Sequence, residues 1–121
     1  ACDIYRDMVD FIAGFLALIG MRGRAEVCDL VHAPPGHRVD LALVLKTIPC
    51  LEQIDRSAGR RLLETLNADH LLVSFPARSL GGRDKGMPVN YEEHFRELIA
   101  GTGWTVHRFE FATELAFLVS K

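Results

Sequence analysis

A chain of 121 residues with a formal charge of −2 has room for one domain and lacks the overall positive charge of a wholly basic nucleic-acid binder. Apolar residues make up 49% and charged residues 25%, a globular composition that excludes a disordered chain. No apolar run reaches the ~18 residues needed to cross a bilayer, and the N-terminus has no basic region followed by an apolar one, so neither a membrane span nor a signal peptide is expected.

Cys2-Asp3-Ile4-Tyr5 reads as the end of a strand. From Asp7 to Ile19, Met8, Phe11, Ile12, Phe15, Leu16 and Ile19 recur at three- and four-residue steps, which predicts a helix, and Gly20 suits its C′ position. Arg24 to Leu30 is a short strand, and Pro34, Pro35 and Gly36 force a loop. Val39 to Leu45 is nearly all apolar, as in a strand buried on both faces of a parallel sheet.

Leu51, Ile54, Ala58, Leu62 and Leu66 predict one helix behind that strand, and Leu71 to Phe75 another buried strand. Asn90 and Glu93 form an N-cap pair before a helix whose apolar face carries Tyr91, Phe95, Leu98 and Ile99. Trp104 to Phe111 and Glu114 to Val119 make a closing hairpin. The order β-α-β-β-α-β-α-β-β predicts an α/β fold with a largely parallel sheet, helices on both faces and one antiparallel strand.

In open α/β sheets ligands bind beyond the carboxyl ends of the strands. Those ends carry Asp3, Asp29 and Lys46. An acid at one strand end accepts from ribose hydroxyls and an acid at the next reaches an adenine amino group, so Asp3 and Asp29 suit an adenosine-containing cofactor. The same acids also suit helix caps or loop turns. The first strand of such a sheet and the glycine-rich turn after it are absent, and the chain reads as starting at the second strand.

Between Phe75 and Tyr91 the chain places Arg78, Arg83 and Lys85 among Gly81, Gly82 and Gly86. Such a loop fits either a solvated basic surface or a phosphate-binding one. The three cysteines, Cys2, Cys28 and Cys50, are odd in number and have no C-x-x-C spacing, so reduced and mostly buried thiols are expected. The five histidines, His32, His37, His70, His94 and His107, are scattered, none at metal-ligand spacing, and no metal is expected.

Three segments together carry a resemblance: Leu43 to Glu52 (LVLKTIPCLE), Ser74 to Met87 (SFPARSLGGRDKGM), and Asn90-Tyr91. The sequence is similar to the aminoglycoside-resistance 16S rRNA (guanine-N7) methyltransferases, which carry L-L-L-K-T-L-P-C-L-E, F-P-x-[KR]-S-L-[GS]-G-[KR]-x-K-G-M and then N-Y. The match runs through most of the chain and looks like the C-terminal part of such an enzyme. One departure lies near the end, where the family's G-[NT]-E-L-[IV]-Y stands as Ala112 to Phe117 (ATELAF).

The resemblance implies a class I S-adenosylmethionine-dependent methyltransferase fold, Rossmann-like, with residues 1–121 forming the C-terminal part of the catalytic domain. It implies a methyl group delivered to a guanine N7 in the decoding site of 16S rRNA in the 30S subunit, aminoglycoside resistance, and a cytoplasmic location. By position, Asp3 and Ile4 would contact the cofactor ribose, Asp29 and Leu30 the adenine, and Leu45 and Lys46 the methionine end and target pocket. Lys46 and Glu52 would be catalytic, with Lys46 donating to guanine O6 and Glu52 pairing with Lys46 or accepting from the guanine amino edge. Arg78, Ser79, Arg83, Lys85, Met87 and Tyr91 would bind RNA.

Guanine N7 has a lone pair and no proton, so attack on a sulfonium methyl needs alignment rather than a general base. Two alternatives stay open: a non-catalytic RNA-binding fragment, and a pyrimidine C5 methyltransferase using Cys50 as nucleophile. A sheet without its first strand also leaves two unpaired edges, so a missing N-terminal part or a second copy is expected to complete it.

Overall fold

The computed structural model describes residues 1–76 and 87–121, without the side chains of residues 87–89. The elements are β1 (Cys2–Asp3), α1 (Arg6–Leu18), β2 (Glu26–Val27), β3 (Val39–Leu45), α2 (Ile48–Glu52), α3 (Ala58–Thr65), β4 (Ala68–Pro76), α4 (Met87–Leu98), β5 (Thr105–Glu110) and β6 (Glu114–Ser120). They form a two-stranded parallel sheet, β1-β2, and a four-stranded sheet ordered β3-β4-β6-β5. β3 and β4 are parallel, and β6 is antiparallel to both of its neighbours, as the sequence pattern predicts.

The core is built around β4 and β6. Leu71 faces Val119, Val73 faces Phe117 and Phe75 faces Leu115, and all six are buried. The period-2 alternation places them on one face. α4 covers them with Phe95 and Tyr91: Phe95 stacks on Phe117 at 4.1 Å between ring centroids, and Tyr91 stacks on Phe75 at 5.1 Å. Val44, Ile48, Leu62 and Leu63 extend the same core.

α1 ends as its sequence predicts. Gly20 has φ +65, its N–H donates to the Ala17 carbonyl, and the Met21 N–H donates to the Leu16 carbonyl. That pair of bonds satisfies the last carbonyls of the helix, and only glycine adopts the required conformation without strain.

Four expectations change. The expected single helix from Leu51 to Leu66 is two, because the Asp55 carboxylate accepts from the Ser57 N–H at 2.9 Å, the Ser57 hydroxyl at 2.8 Å and Arg61 at 2.8 Å, turning the chain between them. The Asn90–Glu93 cap does not form, since α4 already starts at Met87 and Asn90 lies inside it. The strand expected from Arg24 to Leu30 pairs only at Glu26–Val27. β3 is not buried on both faces: Leu41, Leu43 and Leu45 alternate onto one face and are 47%, 60% and 49% exposed, while Ala42 and Val44 on the other face are covered; β3 also has β4 on one side and, among the described residues, no strand on the other.

That open side of β3 faces β1. Between them lies a groove of about 490 Å³ whose walls include Ala1, Cys2 and Glu26 on one side and Leu41, Leu43 and Val44 on the other. The two edges expected to be unpaired therefore both border one apolar trough.

Candidate functional site

The side chains singled out at the strand ends fall into three clusters. At the end of β1, Asp3 accepts the Tyr5 N–H on Oδ1 at 2.9 Å, while its Oδ2 has no protein partner among the described residues. Just beyond β2, Asp29 Oδ1 accepts the Val31 and His32 N–H groups at 2.9 and 3.2 Å, and Oδ2 meets His32 Nδ1 at 2.7 Å. The His32 ring, with the two backbone N–H groups, holds the Asp29 carboxyl below its usual range. Asp29 thus behaves as a loop acid with a replaceable partner, since the His32 side chain is exposed.

The second cluster stands where β3, β4 and β6 meet. Lys46 follows the last residue of β3 with φ +55, a left-handed conformation that costs a non-glycine residue about 1–2 kcal/mol. Its backbone N–H donates to the Ser74 carbonyl at 3.0 Å, and its exposed ammonium lies 3.6 Å from Glu114 Oε2. The other Glu114 oxygen accepts a short hydrogen bond from the Ser74 hydroxyl. Ser74 is the buried polar residue of β4, and Glu114 is its sink. Lys46 therefore pairs with Glu114 rather than with Glu52.

Glu52, at the end of α2, instead meets His94 Nε2 of α4 at 2.6 Å. Its Oε1 is buried and has no hydrogen-bond partner among the described residues. The carboxylate is wedged against Gly59, where an added Cβ would come 2.5 Å from Oε1. Glu52 thereby fastens α2, the segment that carries the chain away from Lys46, to α4.

Of the other expected site residues, Ile4 and Leu45 are exposed and Leu30 packs against the core. Tyr91 is half-buried on Phe75. Arg78, Ser79, Arg83 and Lys85 lie outside the described residues, as does the side chain of Met87. Cys50 is exposed rather than buried, and its thiol donates weakly to the Lys46 carbonyl at 3.7 Å, within its own turn.

Sequence reading missed Ser74, His94 and Glu114. Ser74 interrupts the apolar run from Leu71 to Phe75 within β4, and that break was the available signal. Glu114 opens the final strand within a motif already quoted, yet its partners lie 40 and 68 positions away in the chain, and only the sheet order joins them.

A family model described as "Ribosomal RNA methyltransferase (FmrO)" matches residues 1–118. The chain is 41% identical over 122 residues to the 16S rRNA (guanine(1405)-N(7))-methyltransferase of Frankia casuarinae, covering 100% of this chain and 43% of that protein. It is 36% identical over 120 residues to the protein of the same name from Serratia marcescens, covering 99% of this chain and 48% of the relative. Among solved structures, the 16S rRNA methyltransferase RmtF in complex with S-adenosyl-L-homocysteine is similar with a TM-score of 0.91 at 35% identity, over 99% of this chain and 46% of that one. The chain thus spans less than half the length of these relatives.

Proposed function

The chain belongs to the FmrO family of ribosomal RNA methyltransferases and has the α/β, Rossmann-like fold of S-adenosylmethionine-dependent methyltransferases; from that premise we propose that it forms the C-terminal part of a catalytic domain that methylates N7 of a guanine in 16S rRNA of the 30S subunit. Such a mark in the decoding site would confer aminoglycoside resistance, and the substrate implies a cytoplasmic enzyme. No helix among the described residues is long and apolar enough to cross a membrane. The observation that carries the proposal is the 0.91 TM-score over 99% of the chain to a relative holding S-adenosyl-L-homocysteine.

The residues present fit that cofactor at one strand end directly and at another after one rearrangement. Asp3 offers its Oδ2 to ribose hydroxyls, beside Ile4. Asp29 and Leu30 would meet adenine once the exposed His32 ring swings off the carboxylate. S-adenosylmethionine would supply an electrophilic methyl group, and guanine N7 needs no base to accept it. Lys46, its backbone held by Ser74 and its ammonium by Glu114, would donate to guanine O6 beside Leu45. Glu52 acts at one remove, keeping α2 in place through His94. Arg78, Ser79, Arg83 and Lys85 would hold rRNA phosphates, and Met87 and Tyr91 would border the target base.

The groove between β1 and β3 would be filled by a strand of the same polypeptide, since the relatives are about twice as long as this chain. A second copy in its place would show as a dimer in light scattering.

The test is transfer of labelled methyl from S-adenosylmethionine to 30S subunits by the complete protein, with the product base identified by mass spectrometry. Expected is N7-methylguanine, a ~100-fold loss of kcat in Lys46→Ala, and weaker 30S binding with a flatter salt dependence in Arg83→Ala with Lys85→Ala. Retained activity in Cys50→Ser would set aside the pyrimidine C5 alternative. No transfer by folded complete protein would leave a non-catalytic RNA-binding part.

A further inference from the structure

The register of the smaller sheet builds a cluster that no residue spacing announces. Cys2 stands opposite Glu26 across the parallel pair β1-β2, and Cys28, two residues on from Glu26, returns to the same face. One ligand atom from each of the three lies within 4.8 Å of the other two, and all three residues are half-buried. Cys2 Sγ and Glu26 Oε1 are 3.8 Å apart. Beyond β2 the loop through Pro34, Pro35 and Gly36 brings His37 Nε2 to 3.2 Å from the same Glu26 oxygen.

Two thiols, a carboxylate and an imidazole are a ligand set for a borderline-soft divalent ion. A tetrahedral Zn²⁺ with bonds of about 2.0–2.3 Å sets its ligand atoms roughly 3.3–3.8 Å apart, so the three clustered groups need to close by at most about 1.5 Å. As a purely structural cluster these groups would be poorly matched: thiols are weak donors, and the other described side chain at the Glu26 Oε1 oxygen is the His37 ring.

We propose that Cys2, Glu26, Cys28 and His37 form a structural Zn²⁺ site that pins β1 to β2. Its consequence is positional. Asp3 and Asp29 are each adjacent in sequence to one of the two thiols, so the ion would fix the separation of the two strand-end acids. The site stands on this geometry alone and does not depend on the methyltransferase reading.

The test uses the complete protein, reduced, stripped of metal by chelation and kept anaerobic. Co²⁺ is titrated as a spectroscopic probe, then displaced with Zn²⁺. Expected is one Co²⁺ per chain with thiolate-to-cobalt charge transfer and tetrahedral visible bands, abolished by Zn²⁺. Cys2→Ser and Cys28→Ser should each weaken binding by more than the ~100-fold that a supporting residue costs, and Cys50→Ser should leave it unchanged. Absence of the charge-transfer band in folded, reduced protein overturns the proposal, as does its loss in Cys50→Ser. Should the cysteine variants fail to fold, alkylation of the unmodified protein decides: Zn²⁺ should protect Cys2 and Cys28 but not Cys50, and equal labelling with and without Zn²⁺ overturns the site.

Discussion

The β1-α1-β2 unit and the four-stranded sheet with its helices both carry apolar stripes, yet they finish differently. In α1 only Val9 is buried, while Met8, Phe11, Phe15 and Leu18 are 49%, 68%, 48% and 85% exposed. In the larger sheet Phe75, Leu71, Leu115 and Val119 are each 0% exposed, as is Phe95 of α4 above them. An amphipathic stripe records that a helix has something to cover; it does not supply the partner. β4 and β6 lie within the chain and bury α4. Among the described residues the face of α1 is left open, and β1 and the outer edge of β3 border a trough that no described strand fills. What joins the two regions is slight: Arg61 donates to the Val31 carbonyl at 2.7 Å, and Leu30 rests on the core.

The largest expected effect contrasts two phenylalanines. Phe95→Ala should cost about 3–5 kcal/mol in denaturant unfolding, because it removes a ring stacked at 4.1 Å on Phe117. Phe15→Ala should stay within about 0.5 kcal/mol in the 121-residue chain and approach the core value in the complete protein. Equal costs in both contexts would break the contrast between the regions.

Leu43→Lys probes the trough itself. It should be near neutral in this chain, where Leu43 is 60% exposed, and cost about 3 kcal/mol or more in the complete protein, where a strand would bury the charge. A neutral result in both would mean that β3 is a true edge.

A smaller effect tests how α2 is held. His94→Ala leaves the buried Glu52 carboxylate without its ring partner, beside an oxygen with no partner among the described residues, and should cost about 1–3 kcal/mol. Gly59→Ala should act in the same direction by crowding Glu52 Oε1. If either variant left both stability and methyl transfer unchanged, the positioning role of Glu52 would fall.

The smallest effect is a pH dependence. Arg61 first, and Ser57 after it, hold the half-buried Asp55 carboxyl at about 2 against an ordinary 3.8. A lowered folded-state value stabilises above 3.8 and the benefit fades as pH falls toward 2, so acid unfolding of the larger sheet should begin slightly earlier in Asp55→Asn. Superimposed acid transitions would show that the turn between α2 and α3 does not depend on this carboxylate.

Most of the fold was legible because hydrophobic period and glycine chemistry act locally. The stripe of α1, its Gly20 terminus, the buried run of β4 and the closing hairpin are each set within a short stretch of chain. The split between α2 and α3 was not, because a three- and four-residue repeat continues through the Asp55 turn and masks it. Nor was the Asn90 cap, since cap residues are also tolerated inside a first helical turn.

The sequence by itself determined the family, through motifs whose order survives any arrangement in space, and it put Asp3, Asp29 and Lys46 at strand ends. Tertiary structure alone decided what those groups touch. Strand order brings Glu114 to Lys46 and Ser74, helix packing brings His94 to Glu52, and parallel register brings Cys28 to Cys2 across 26 positions. Partner choice is a property of the sheet: neighbours across a ladder lie about 5 Å apart whatever their distance along the chain, so side-chain chemistry at this site follows topology.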